Sequence, residues 1–384
     1  MLHELDLGKM RSYRIKRLTD QMEKDNVDAL ILHGILNAKY VSDFQMAVTH
    51  AYGESQCLVL LLKDGEYVLF DGSFFRSETT RFCPWIKRLE TPNKIWEVIK
   101  EFSLEQSKIG FDFILPYPFM DIVKNKYPKM KVVNAKKYVD EAKVIKSHDE
   151  RMLMQEAAMI AEVGMTAAIN SIKLGETAAD IAAAAEYATW KNGHGDSRPF
   201  NSYIAAGEDT AFVGEDMFQK RIRTGDLIYI DIGAVFHGYV AEFCRTVACG
   251  EPSKKQKDIY KAVYKAHMEA MKIMKPGCSA KEIENVQSST LEKAGYKQEG
   301  FLPIHSIGLG YHEQPCDYLK ENDGWYDWPK EDYLLREGMV VNIEPGIFTG
   351  DPEIGGVRLE DVIEITENGC KVLTKFPYDE KLLS

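Results

Sequence analysis

Five side chains that are expensive to bury sit inside or beside apolar, strand-like runs in the later part of this chain. They are Asp231 in LIYIDIG, Glu242 in YVAEFCRTV, His305 in FLPIHSIGLG, Glu344 in MVVNIEPG and Glu360 in GVRLEDVIEI. A carboxylate in such a run is costly unless it is paired, hydrogen-bonded or bound to a cation. Four carboxylates and one imidazole make an oxygen-rich ligand set. That set suits Mn, Fe, Co or Zn, as one divalent ion or two.

The bulk properties narrow the class. A length of 384 residues fits two domains better than one core. The net charge of -11, with no basic stripe carrying interleaved aromatics, argues against a nucleic-acid partner. The N-terminal MLHELDLGKM lacks the apolar segment of a signal peptide, and runs such as CLVLLL are far too short to span a membrane. Seven cysteines without a CxxC pair argue against a disulfide framework. The expectation is a soluble, cytoplasmic protein acting on a small molecule, with no membrane partner.

Periodicity divides the chain. Ile15, Leu18 and Met22 predict a helix over Tyr13–Asn26, followed by strands at DALILH, QCLVLLL and YVLF, with a turn at Lys63-Asp64-Gly65. A helix is predicted from Lys94 to about Glu105, then a buried strand at KIGFD. This alternation describes a small α/β domain over residues 1–145, ending in the polar stretch VDEAKVIKSHDE. Residues 146–384 read as an α+β domain. Helices are expected near 149–173, 177–192, 254–274 and 279–295, and strands near 200–206, 226–248 and beyond 300.

The stretches DLIYIDIGAVFHGYVAEFCRTV, HSIGLGYHEQP, MVVNIEPGIF and GVRLEDVIEIT, in this order and spacing, resemble the M24 or pita-bread metallopeptidases. That family includes Xaa-Pro peptidases, methionine aminopeptidases and the creatinase branch. NVDALILHGILNAKYVSDF, AKVIKSHDE and VLTKFPYDEKLL resemble its creatinase and Xaa-Pro peptidase members, so the likeness covers nearly the whole chain. It implies a C-terminal pita-bread domain behind a smaller creatinase-like α/β domain, in a homodimer. It implies metal ligation by Asp231, Glu242, His305, Glu344 and Glu360, with Glu344 also the general base. His312 would contact substrate and stabilise the reacting group, and Arg245 would help hold the carboxylates.

Three features depart from the family pattern. The second ligand of the family is Asp, whereas residue 242 is Glu, whose extra methylene moves the carboxylate by roughly 1.5 Å. Gly214 stands where family peptidases carry a His, no His lies between His194 and His237, and His194 could replace it only if the WKNGHGDSRPF loop bends into the pocket. The segment from Tyr311 to Tyr333 gathers Tyr311, Trp325 and Trp328 among seven Asp or Glu residues, a composition suited to an organic cation. On these grounds the expected reaction is hydrolysis of a C–N bond in a creatine- or ectoine-like zwitterion, with Tyr311, His312, Trp325 and Trp328 binding it. The alternatives are a Xaa-Pro dipeptidase or aminopeptidase, a dimethylsulfoniopropionate lyase and a non-catalytic member. His237 is expected at a hairpin, and Cys244 as a small buried hydrophobe.

Overall fold

A computed structural model describes residues 5–44, 57–73, 76–111, 117–193, 197–213, 219–297, 304–316 and 332–384. It divides into two compact units, Met1–Lys143 and Val144–Ser384.

The first unit runs α1 (Leu7–Lys24), β1 (Ala29–His33), α2 (Ile35–Ser42), β2 (Cys57–Leu62), β3 (Tyr67–Asp71), α3 (Arg76–Phe82), β4 (Leu89–Glu90), α4 (Ile95–Glu101), β5 (Lys108–Phe111), α5 (Tyr117–Lys126), β6 (Lys131–Asn134) and α6 (Lys136–Val144). Its strands form one sheet in the order β4-β3-β2-β1-β5-β6. Ile31, Leu60, Phe70 and Ile109 on the sheet pack with Ile95 and Ile99 of α4. Two helix boundaries differ from expectation. Helix α1 begins a turn and a half earlier because Asp6 caps it, accepting from the Lys9 N–H at 2.9 Å. Helix α4 ends at Glu101 because Ser103 takes a left-handed φ of 56°.

The second unit runs α7 (His148–Ser171), α8 (Ala178–Asn192), β7 (Ser197–Ala206), β8 (Leu227–Phe236), β9 (Tyr239–Ala248), α9 (Lys254–Ile273), α10 (Ala280–Lys293), β10 (Ile304–Ser306), β11 (Glu313–Cys316), β12 (Val340–Ile343), β13 (Gly346–Phe348), β14 (Gly356–Arg358), β15 (Asp361–Thr366), β16 (Gly369–Val372) and α11 (Glu380–Leu383). Four of its helices start with reciprocal capping boxes, Ser147/Glu150, Thr177/Asp180, Ser253/Gln256 and Ser279/Glu282. By length and composition α7 could cross a membrane. Here its buried face, including Leu153, Ala157, Ala161 and Met165, packs against α8, β8 and β9.

Two sheets carry the site. Strands β7, β8 and β9 form an antiparallel sheet, and β8 and β9 meet at a tight turn with positive φ at His237 and Gly238. His237 therefore lies at the hairpin, as expected. The second sheet is antiparallel in the order β11-β10-β12-β15-β16. The sheets join where the Glu360 N–H donates to the Cys244 carbonyl at 3.1 Å.

Candidate metal centre

Each sheet brings part of the ligand set. On β8 and β9, Asp231 lies opposite Cys244 and Glu242 opposite Gly233. Glycine at 233 allows β8 and β9 to approach closely here, since a Cβ there would stand 2.6 Å from the Ala241 carbonyl oxygen and 2.8 Å from the Glu242 Cβ. On the other sheet His305 lies on β10, opposite Asn342 on β12, and Glu344 follows β12 directly. Glu360 sits between β14 and β15. All five are buried.

Glu242, His305 and Glu360 converge, each offering a ligand atom within 4.8 Å of the others. His305 Nε2 lies 3.6 Å from Glu360 Oε1, 3.9 Å from Glu242 Oε1 and 4.0 Å from Glu344 Oε1. These are not ion pairs. Burial, reinforced by the Arg358 charge, lowers the His305 pKa to about 3, so the ring is neutral and its Nε2 lone pair is available.

Asp231 lies outside that trio, and Glu344 borders it through His305. The Arg358 guanidinium bridges them, Nη1 donating to Asp231 Oδ2 at 2.7 Å and Nη2 to Glu344 Oε2, with Glu360 Oε2 3.6 Å from Nη2. Asn342 Nδ2 donates to Glu360 Oε1 at 2.7 Å and reaches Glu242 Oε1 at 3.4 Å. Neither Arg358 nor Asn342 was singled out from sequence. Arg358 was legible there, because a charge two residues before Glu360 in an apolar run carries the same signal as the acids.

The electrostatics call for more positive charge. Burial raises the pKa of Asp231 to about 7 against the opposing pull of Arg358. Burial and the neighbouring carboxylates push Glu242 well above the usual range, and burial does the same for Glu344 against Arg358. Glu360 is also raised, by burial first. Asp231 Oδ1, Glu242 Oε2, Glu360 Oε2 and His305 Nε2 are buried without a hydrogen-bond partner. Such a donor set fits a divalent cation of the Mn, Fe, Co or Zn type.

Behind the site Arg245 donates to the Glu360 carbonyl at 2.7 Å and to Asp361 Oδ1 at 2.7 Å. Asp361 also accepts from Thr374 and Tyr378 and lies 2.8 Å from His267 Nε2. Burial alone would raise its pKa, but Arg245 and His267 hold it well below the usual carboxylate range. Cys244 is fully buried against the Arg358 carbonyl, and burial raises its thiol pKa far above normal.

At the rim the His312 ring centroid lies 4.4 Å from that of His305 and 4.0 Å from that of Tyr311. Desolvation, then the neighbouring His305 and Arg358, hold the His312 pKa below its ordinary value, and burial pushes that of Tyr311 well up. Both are neutral at pH 7. Trp325, Trp328, His194 and Gly214 lie outside the described residues.

Residues 152–367 match Metallopeptidase family M24, and residues 14–145 match the Creatinase/Prolidase N-terminal domain. The Xaa-Pro dipeptidase of Pyrococcus horikoshii is 31% identical, over 94% of this chain and 97% of the relative. The Xaa-Pro dipeptidase of Pyrococcus furiosus is 29% identical over the same shares. Among solved structures, the Pyrococcus horikoshii prolidase aligns with a TM-score of 0.77 at 32% identity, covering 95% of this chain and 99% of that one. A Xaa-Pro dipeptidase from Bacillus anthracis aligns with a TM-score of 0.80 at 25% identity, covering 96% and 98%. The chain belongs to metallopeptidase family M24, a family of divalent-metal enzymes. Its α+β fold is that of the family: a creatinase-like N-terminal domain followed by a pita-bread domain.

Proposed function

We propose that this protein is a metal-dependent hydrolase that cleaves Xaa-Pro dipeptides. The observation that carries the chemistry is the convergence of Glu242, His305 and Glu360, flanked by Asp231 and Glu344, with His312 packed on His305. The substrate class rests on the relatives, which match over nearly their whole length and are named Xaa-Pro dipeptidases. They favour this reading over a creatine- or ectoine-like substrate.

The proposed ligands are Asp231, Glu242, His305, Glu344 and Glu360. A cation held there supplies Lewis acidity, which favours negative charge on oxygen and makes water a stronger acid. Glu344, oriented by Arg358 and 4.0 Å from His305 Nε2, accepts the proton of the attacking water once the cation has displaced its own. His312, neutral at working pH, offers a hydrogen bond to the developing oxyanion. Tyr311 stacks on His312 and limits the positions its ring can take. The assembly we propose is a homodimer, and light scattering that gives a monomer at working concentration would contradict it.

A second reading retains a small cationic or zwitterionic substrate. It is favoured by Gly214 in place of the peptide-positioning His and by Glu242 in place of Asp. One comparison separates the two: kcat/KM for Ala-Pro and Gly-Pro against ectoine, creatine and dimethylsulfoniopropionate, with each metal restored in turn. The dipeptides are expected to win. Preference for any of the other three would overturn the dipeptidase reading.

A further inference from the structure

Lys146 falls in the short stretch 146–151, which lies between the two matched segments and belongs to neither. Its side chain is 2% exposed. The backbone beneath it is fixed. The Lys146 N–H donates to the Gly338 carbonyl at 2.9 Å, its own carbonyl accepts from the Arg151 guanidinium, and Ser147 caps α7. From that base Nζ donates to Ser306 Oγ at 3.1 Å and lies 3.2 Å from Glu313 Oε2.

Ser306 follows His305, and Glu313 follows His312. One ammonium group therefore joins the two ends of the loop 307–312. The Glu313 carboxylate fills that loop from within. Its Oε1 accepts the Gly310 N–H at 3.0 Å, and a Cβ at Gly308 would overlap Oε2. The Gly308 carbonyl accepts the Val240 N–H at 2.7 Å, which ties the loop to β9. A buried carboxylate in such a place is strongly destabilising once its partner is removed.

We propose that Lys146 is a positioning residue. Through Ser306 and Glu313 it locks the loop that holds His312 against His305. The catalytic consequence rests on the role given to His312 above; the locking of the loop does not.

Two measurements on the metal-loaded, full-length protein test this. The first is hydrogen exchange, which needs no substrate. In Lys146→Met, amides of residues 307–312 are expected to exchange at least about tenfold faster, equivalent to roughly 1.4 kcal/mol. Exchange in α9 and metal content should not change, and Lys146→Arg should recover part of the protection. The second is kinetic: kcat for Xaa-Pro dipeptides should fall more than KM rises, because a displaced His312 acts on the reacting group. Unchanged protection of the loop would overturn the proposal, as would an exchange increase spread evenly over the second unit. If Lys146→Met does not fold, Glu313→Gln and Ser306→Ala probe the same contacts, and loop protection equal to wild type in both would likewise overturn it. If the wild type cleaves no dipeptide, the dipeptidase reading fails and hydrogen exchange alone decides the role of Lys146.

Discussion

Arg358 holds Asp231 at 2.7 Å inside a group of buried carboxylates, so the protein carries its own cation where charge neutralisation is needed. Replacing Arg358 with Met should therefore affect the metal-free and metal-loaded forms differently. Without metal, Asp231 and Glu344 lose their shared partner, at a cost of roughly 3–5 kcal/mol. With metal bound the ion offsets part of that loss. Calorimetry of both forms measures the difference, and equal destabilisation would count against this account.

The same carboxylates set a pH dependence. A raised carboxyl pKa means that the folded state holds the proton more tightly than the unfolded chain does. For Asp231 the resulting stability is present below the unfolded value near 3.8 and is lost as pH rises through about 7. The metal-free melting temperature should fall between pH 6.5 and pH 8, above the range in which His305, neutral when folded, adds stability as pH rises. Metal binding removes those protons, so apparent affinity should rise over the same interval. Asp361 acts in the opposite sense. Its lowered pKa gives stability above its unfolded value that is lost only in strong acid. A metal-free stability curve that rises from pH 6.5 to pH 8 would contradict the assignment.

Metal removal should be visible without any substrate. Ligand that binds only the folded state stabilises it by roughly 2.7 kcal/mol at a hundredfold excess over Kd. Adding Mn, Fe, Co or Zn to chelated protein should raise its melting temperature, and His305→Ala should abolish most of that rise. Elemental analysis gives the stoichiometry. A folded protein with no affinity at micromolar metal would refute the ligand set.

Glu344→Gln keeps the shape of the side chain and removes the proposed base. Turnover should fall by about 10²–10⁴-fold. Retention of near wild-type kcat with metal bound would show that another group takes the proton.

Sequence carried the broad plan because it depends on local pattern. The fully buried LIYIDIGAVF strand, the capping boxes and the His237-Gly238 turn are all written in neighbouring residues. The four acids and the imidazole were legible because a charge in an apolar run needs a reason. Arg358 carried the same signal and was passed over, whereas Asn342 and the Lys146–Glu313 pair acquire their roles from strands or loops remote in sequence. The helix ends at Leu7 and Glu101 were missed because one cap and one left-handed residue set them, and hydrophobic spacing does not show either.

The join between the two sheets also has a consequence for synthesis. Asp231, Glu242 and His305 leave the ribosome well before Glu344 and Glu360, which arrive with the last strands. Until the segment bearing Glu360 pairs with Cys244, the chain holds Asp231, Glu242 and His305 without the other two acids of the proposed set. If the proposed set holds a cation, tight capture would follow that pairing and would mark a polypeptide in which the two sheets have already joined.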